Sequence, residues 1–152
     1  MKLAEALLLR ADMQKKVASL RERIGKYAVV QEGEVPHEDP SDLLAEANGV
    51  LDDLEKLLYR INEANLKNKL KDGRNITQVL AQRDMLIQRH AILQAAISGT
   101  TKPPERYGLS EIKWVATLDV SKLQKQSDDL AKRIRELNAA IQETNWRIEI
   151  KG

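Results

Sequence analysis

Two segments of the chain, one near each end, repeat mainly apolar residues at alternating spacings of three and four. In the first segment these positions are Leu3, Ala6, Arg10, Met13, Val17, Leu20, Ile24 and Tyr27. In the last segment they are Val120, Leu123, Ser127, Leu130, Ile134, Leu137, Ile141, Thr144 and Ile148. This spacing keeps one stripe of a helix against a partner along a left-handed seam. The pattern predicts helices at about 2–26 and from Asp119 or Ser121 to about Glu149.

Two more helices are predicted between these. Asp39 before Pro40 is a good helix start, and the second helix ends near Leu70. Its stripe is Leu44, Ala47, Leu51, Leu54, Leu58, Ile61, Asn65 and Asn68. After a turn at 71–74, Asn75 with Gln78 resembles a capping box and opens a third helix, which runs to about residue 98. The stripe of the third helix is Ile76, Val79, Arg83, Leu86, His90, Leu93 and Ile97.

Two short segments rich in β-branched residues, Ala28–Gln31 and Ile112–Leu118, lie between the helices. A lone strand is unstable, so we expect them to pair with each other and to place Trp114 in the core. The predicted fold is therefore mainly α: an antiparallel bundle of four long helices with a small β element, in a single domain spanning residues 1–152.

Composition excludes several classes of site. The chain has no cysteine, which rules out disulfides and thiolate metal sites and fits a reducing compartment. It has two histidines, and Pro36 breaks the Glu34-x-x-His37 match to a metal-binding helix, so we predict neither a metal nor another cofactor. Glu5 interrupts the apolar run at the start, and no stretch approaches the ~20 apolar residues of a membrane span. We therefore predict a cytoplasmic protein.

Several segments together resemble an uncharacterised bacterial family whose members are often labelled septicolysin-like. They are MKLAEALLLRAD, AVVQEGE at 28–34, Arg83-Asp84, RYGLSEIKWVATLDV at 106–120 and Asn145-Trp146. The resemblance covers essentially the whole chain. The label implies a cytolysin, and the resemblance assigns no activity to individual residues.

Polar residues interrupt the stripes at similar heights in an up-and-down bundle. Folding back near residue 73 sets Asn62 opposite Asp84 and Asn65 opposite Arg83, and Arg10 and Asn145 arrive near that level. The predicted polar layer is Arg10, Asn62, Asn65, Arg83, Asp84 and Asn145. Because arginine offers a fixed fork of donors, the layer suits a small anionic ligand or a reaction on one. The alternative is that these residues only set helix register.

Two further features concern partners. Trp146 falls opposite the seam of the fourth helix, where we expect it to be exposed and to form a subunit interface. Lys67, Lys69, Lys71 and Arg74 form a basic tip between the second and third helices that could contact RNA. Aromatic residues are sparse there and the net charge is only +2, so nucleic acid is not the favoured partner.

The favoured interpretation is a non-enzymatic helical-bundle protein that self-associates as a homo-oligomer and acts through protein contacts. A small-ligand protein or an enzyme using the polar layer is the alternative. RNA binding through the tip comes third, and a membrane-active toxin is the least supported.

Overall fold

The computed structural model describes residues 1–101 and 113–151 and shows a mainly α chain. Four long helices follow one another: α1 (Leu3–Tyr27), α2 (Pro40–Lys67), α3 (Ile76–Thr101) and α4 (Val120–Arg147). The predicted helical fold is confirmed. Asp39 caps α2 as expected, because its Oδ1 accepts a hydrogen bond from the Ser41 backbone N–H at 2.9 Å.

The predicted β element is not formed in the described residues. Residues 28–31 are irregular and exposed, and so is 113–118, while Ile112 lies outside the described residues. Trp114 is 78% exposed, so its predicted place in the core is wrong. β-Branched and aromatic residues form strands only where a neighbour completes the hydrogen bonds and buries one face, and within 1–101 and 113–151 neither segment has such a neighbour.

Extended pairing instead joins the two ends of the chain. Lys2 lies opposite Glu149 in an antiparallel bridge. The Leu3 N–H donates to the Ile148 carbonyl and the Ile150 N–H donates to the Met1 carbonyl, both at 2.9 Å. This bridge holds the segment after α4 against the start of α1.

The chain forms two compact units. The first comprises Met1–Asn75 with Gln142–Gly152, and the second comprises Ile76–Ile141. Helix α4 contributes residues to both units. The single-domain interpretation stays a prediction.

In the first unit α1 and α2 are antiparallel. Lys16 pairs with Glu46 at 2.8 Å, and Arg23 pairs with Glu38. Every position of the predicted α1 stripe is buried or half-buried, which confirms that stripe.

The stripe predicted for α2 is only partly correct. The buried apolar positions of α2 are Leu43, Leu54, Leu57, Ile61 and Ala64, whereas Leu44 and Leu51 are exposed. Helix α2 carries leucines on two adjacent stripes of similar spacing, and the packing against α1 buries the one that begins at Leu43. Leu44 and Leu51 lie on the neighbouring side of the helix, which is exposed.

The second unit contains α3 and the first part of α4. Along the predicted stripes of both helices every position is buried or half-buried. Ile76, Val79 and Leu86 are the buried positions of α3. The stripes predicted for α3 and α4 are therefore confirmed.

Candidate functional site

The flank of α2 carries a row of exposed residues, which we call the α2 face. Its members follow one another at spacings of four or three, so that they share one side of the helix. They are Leu44, Asn48, Leu51, Glu55, Tyr59, Asn62 and Leu66. Leu44 is 50% exposed, Leu51 45%, Tyr59 70% and Leu66 65%. Single exposed apolar residues are common, but a row of four along one helix is typical of an interaction surface.

A groove of about 970 Å³ runs beside the second half of the α2 face. Helix α2 from Asp52 to Lys67 and its C-cap residue Asn68 line one side, and the segment 149–151 forms the remaining wall. Ion pairs border this groove: Lys67 lies 2.5 Å from Glu63, and Lys2 lies 2.6 Å from Glu149. Lys2 and the N-terminal ammonium keep the pKa of Glu149 below its ordinary value by hydrogen bonding to its carboxylate.

The predicted polar layer is divided between the units. Arg10, Asn62, Asn65 and Asn145 belong to the first unit, whereas Arg83 and Asp84 belong to the second. Asn145 is buried, Arg10 and Asn65 are half-buried, and Asn62 is exposed on the α2 face. In the second unit Arg83 contacts its own neighbour: its Nη2 lies 3.1 Å from an Asp84 carboxylate oxygen. A layer that joins residues of both units stays a prediction.

The register of α1 and α2 separates two members of that layer. The Lys16–Glu46 pair sets the antiparallel register, so Arg10, six residues before Lys16, lies level with about Asp52, six residues after Glu46. Asn62 is ten residues further along α2, which is about 15 Å at the rise of an α-helix. The structure therefore does not bring Arg10 and Asn62 to the same height.

Arg10 nevertheless has an unusual environment. Its Nε is buried and has no hydrogen-bond partner among the described residues. A buried donor without an acceptor costs about 1–3 kcal/mol, so such a group calls for an explanation.

At the basic tip most cations have acidic partners. Lys67 pairs with Glu63, Lys71 with Glu143 and Arg74 with Asp72. The Lys71 ammonium lowers the pKa of Glu143, and the Arg74 guanidinium and backbone N–H lower the pKa of Asp72. Lys69 contributes its carbonyl, which accepts a hydrogen bond from Arg147 at 3.2 Å. These contacts tie the turn between α2 and α3 to the end of α4 and offset much of the positive charge.

Trp146, in the last turn of α4, is 53% exposed. The position of Trp146 opposite the seam predicted this exposure, and the structure shows it. Its role in a subunit interface stays a prediction.

Sequence reasoning missed a polar cluster between α3 and α4 in the second unit. Ser127, 1% exposed, accepts a hydrogen bond from Gln94 Nε2 at 2.6 Å, and its Oγ lies 3.1 Å from His90 Nε2. His90 and Ser127 are polar residues within otherwise apolar stripes, and this is the feature of the sequence that could have indicated the cluster. Only the packing of α3 and α4 shows that the two residues meet. The contacts are those of a polar group that fixes helix register.

The described residues contain no group of three or more His, Asp or Glu residues arranged to hold a metal ion. None of the helices in residues 1–101 and 113–151 has the length and apolarity needed to cross a membrane.

Comparison with known proteins places the chain among proteins of unknown function. A family model described as a family of unknown function (DUF6847) matches residues 10–150. The chain is also similar to a crystal structure described as a functionally unknown conserved protein from Corynebacterium diphtheriae, with 34% sequence identity, a TM-score of 0.93 and 99% of each chain covered. No curated protein matches, and neither similarity carries a septicolysin name. The chain belongs to DUF6847, a family of unknown function.

Proposed function

We propose that this protein is an interaction or structural protein that self-associates through the α2 face. The observation that supports the proposal most directly is the row of exposed apolar side chains from Leu44 to Leu66 on a helix whose other stripe already fills the core. A helix with one buried stripe needs polar residues elsewhere for solubility. A second stripe with exposed leucines and a tyrosine is explained if another surface covers it.

The size of the α2 face suggests a reversible association. Fully burying a leucine contributes about 1.5–3 kcal/mol, so covering a half-exposed one contributes about 1 kcal/mol. Four such side chains from each of two copies then contribute roughly 8 kcal/mol, which is similar to the cost of association, about 4–15 kcal/mol. We therefore expect association that depends on protein concentration.

Light scattering after gel filtration over a range of concentrations tests the proposal. The wild-type mass should rise above that of one chain as concentration increases, and the double variant Leu44→Glu/Leu51→Glu should stay monomeric. Leu8→Glu is the matched control, because Leu8 is an exposed leucine of α1 outside the α2 face. A wild-type protein that is monomeric at every concentration contradicts the proposal, and so does equal weakening by the control.

A second candidate function, binding of a small anionic ligand, is favoured by the buried Nε of Arg10, which has no acceptor among the described residues. An anion with a carboxylate or phosphate oxygen would give that donor its missing acceptor. Thermal shift against a set of phosphorylated and carboxylated metabolites, repeated on Arg10→Gln, tests it. A stabilisation that persists in the variant assigns the ligand to another site.

The remaining interpretations have weaker support. The ion pairs at the basic tip count against nucleic acid, which salt-dependent RNA retention by the wild type and a Lys67/Lys69/Lys71→Gln variant would test. The septicolysin-like resemblance would require membrane activity, which dye release from liposomes would detect. A cytoplasmic location fits the absence of cysteine.

A further inference from the structure

The α2 face has the same pattern in both directions from Glu55. Leu44 and Leu66 each lie eleven residues from Glu55, Asn48 and Asn62 lie seven, and Leu51 and Tyr59 lie four. All these residues are exposed on one side of one uninterrupted helix. The face is therefore close to a palindrome of apolar and amide residues.

A two-fold axis uses such a pattern directly. In an isologous contact the same surface is used by both copies: if residue i contacts residue j of the second copy, residue j contacts residue i of the second copy. Such a surface must therefore be complementary to itself after the two-fold rotation. An axis perpendicular to α2 at Glu55 places each half of the face on the opposite half of the other copy. We infer that two copies of the chain pair through antiparallel α2 helices about this axis. This inference rests on the proposed self-association and adds its geometry.

The pairing that follows is chemically matched. Leu44 meets Leu66 of the second copy, and Leu51 meets Tyr59 of the second copy, so apolar groups cover each other. Asn48 meets Asn62 of the second copy, where two side-chain amides each supply a donor and an acceptor. A paired amide in an otherwise apolar seam selects one register, because a shift leaves it opposite an apolar residue.

The charges of α2 favour the same direction. Outside the face, the first half of the helix carries only acids, and the second half carries three bases and one acid. The acids of the first half are Asp42, Glu46, Asp52 and Asp53, and the bases of the second half are Lys56, Arg60 and Lys67. Within the chain Glu46 pairs with Lys16, Asp53 with Lys56 and Lys67 with Glu63, so the contribution of these residues is to the overall charge of each half. Antiparallel pairing brings the acidic half of one copy to the basic half of the other, whereas parallel pairing brings like halves together.

The axis itself brings the two Glu55 side chains together. Lys56 follows Glu55 immediately on each copy, so a positive charge lies next to this like-charge contact. The helix contact from Leu44 to Leu66 is about 33 Å long at the rise of an α-helix.

Single-cysteine cross-linking tests the axis, because the chain has no cysteine of its own. A disulfide needs α-carbons about 4.4–6.8 Å apart, so only residues that face each other cross-link quickly. Under mild oxidation Glu55→Cys should form covalent dimers at least tenfold faster than Ser19→Cys, an exposed control on α1. Asn48→Cys and Asn62→Cys should each stay largely uncross-linked alone, and an equal mixture of the two should form the mixed dimer.

The outcomes separate the geometry from the association. Self-cross-linking of Asn48→Cys and of Asn62→Cys as fast as that of Glu55→Cys would show parallel helices and overturn the inference. If light scattering shows dimers but Glu55→Cys cross-links no faster than Ser19→Cys, another surface associates and the inference fails. A monomer by light scattering would remove the proposed self-association and the axis with it. Circular dichroism of each variant confirms that the helices are intact.

Discussion

Replacing Ser127 with alanine removes a buried hydroxyl that connects α3 and α4 in the second unit. The Ser127 Oγ accepts a hydrogen bond from Gln94 at 2.6 Å and lies 3.1 Å from His90 Nε2. Ser127 is 1% exposed, so water cannot replace these contacts from the α4 side. We expect the substitution to lower the free energy of unfolding.

The magnitude follows from three contributions. Two hydrogen bonds of about 1 kcal/mol each are lost. Gln94 is exposed and His90 is half-buried, so both can bond to water and neither adds the penalty of a buried orphan group. Alanine is a better helix former than serine by roughly 0.5 kcal/mol, which offsets part of the loss. The net destabilisation should be about 1–2 kcal/mol, or a melting temperature lower by roughly 2–8 °C.

Urea unfolding followed by circular dichroism measures this value, and a double-mutant cycle isolates the contact. The helix-propensity change of each alanine cancels in the cycle of Ser127→Ala with Gln94→Ala. We expect a coupling of about 0.5–1.5 kcal/mol. Coupling below about 0.3 kcal/mol would refute the claim that this hydrogen bond joins the two helices.

Three further predictions test other parts of the structure. Hydrogen bonds and charge from Arg23 lower the pKa of Glu38 below the ordinary value of about 4.3, and those from Lys71 do the same for Glu143. The folded state therefore binds fewer protons than the unfolded chain, and the free energy of unfolding should fall as pH drops below that value. Melting temperatures between pH 6 and 3 should show this, with a flatter profile in Glu143→Gln; an unchanged profile would refute that pairing. Gly73→Ala should lower the free energy of unfolding by about 1 kcal/mol, because the φ of Gly73, +89°, is in the left-handed region. Gly49→Ala, inside α2 and with open space around its α-carbon, should raise it by about 0.5–1 kcal/mol. Urea unfolding of both variants measures these changes. Arg10→Met removes the Nε donor that has no acceptor but keeps an unbranched side chain, so it should not lower the free energy of unfolding of the ligand-free protein. A decrease above about 1 kcal/mol would show that Arg10 has a partner.

Much of the helical organisation could be predicted from local features. Asp39 with Pro40 marks the start of α2, and the three-then-four spacing of α1, α3 and α4 identifies the sides that are buried. Both signals work because capping and helical periodicity involve residues within a few positions of one another. Prediction failed at Trp114, because β-prone composition does not reveal whether a partner strand is present.

The candidate site could be predicted only in part. Asn62 was assigned to an inward layer because folding back near residue 73 sets it opposite Asp84, but it lies on the exposed side of α2. The stripe predicted for α2 began at Leu44, whereas the buried stripe begins at Leu43. Both stripes satisfy helical spacing, so periodicity cannot choose between them. Only the side that α2 turns towards α1 decides which leucines are buried. The axial register of the two helices, which the Lys16–Glu46 pair sets, separates Arg10 from Asn62.

The order of residues thus determined where the helices lie and which residue types line each side, since both depend on contacts within one or two turns. Tertiary structure decided which side of α2 stays exposed, that His90 and Ser127 meet, and that the ends of the chain pair with each other. These depend on contacts between residues far apart in the chain, and their free energies are set by the burial and hydrogen bonding that each packing arrangement allows.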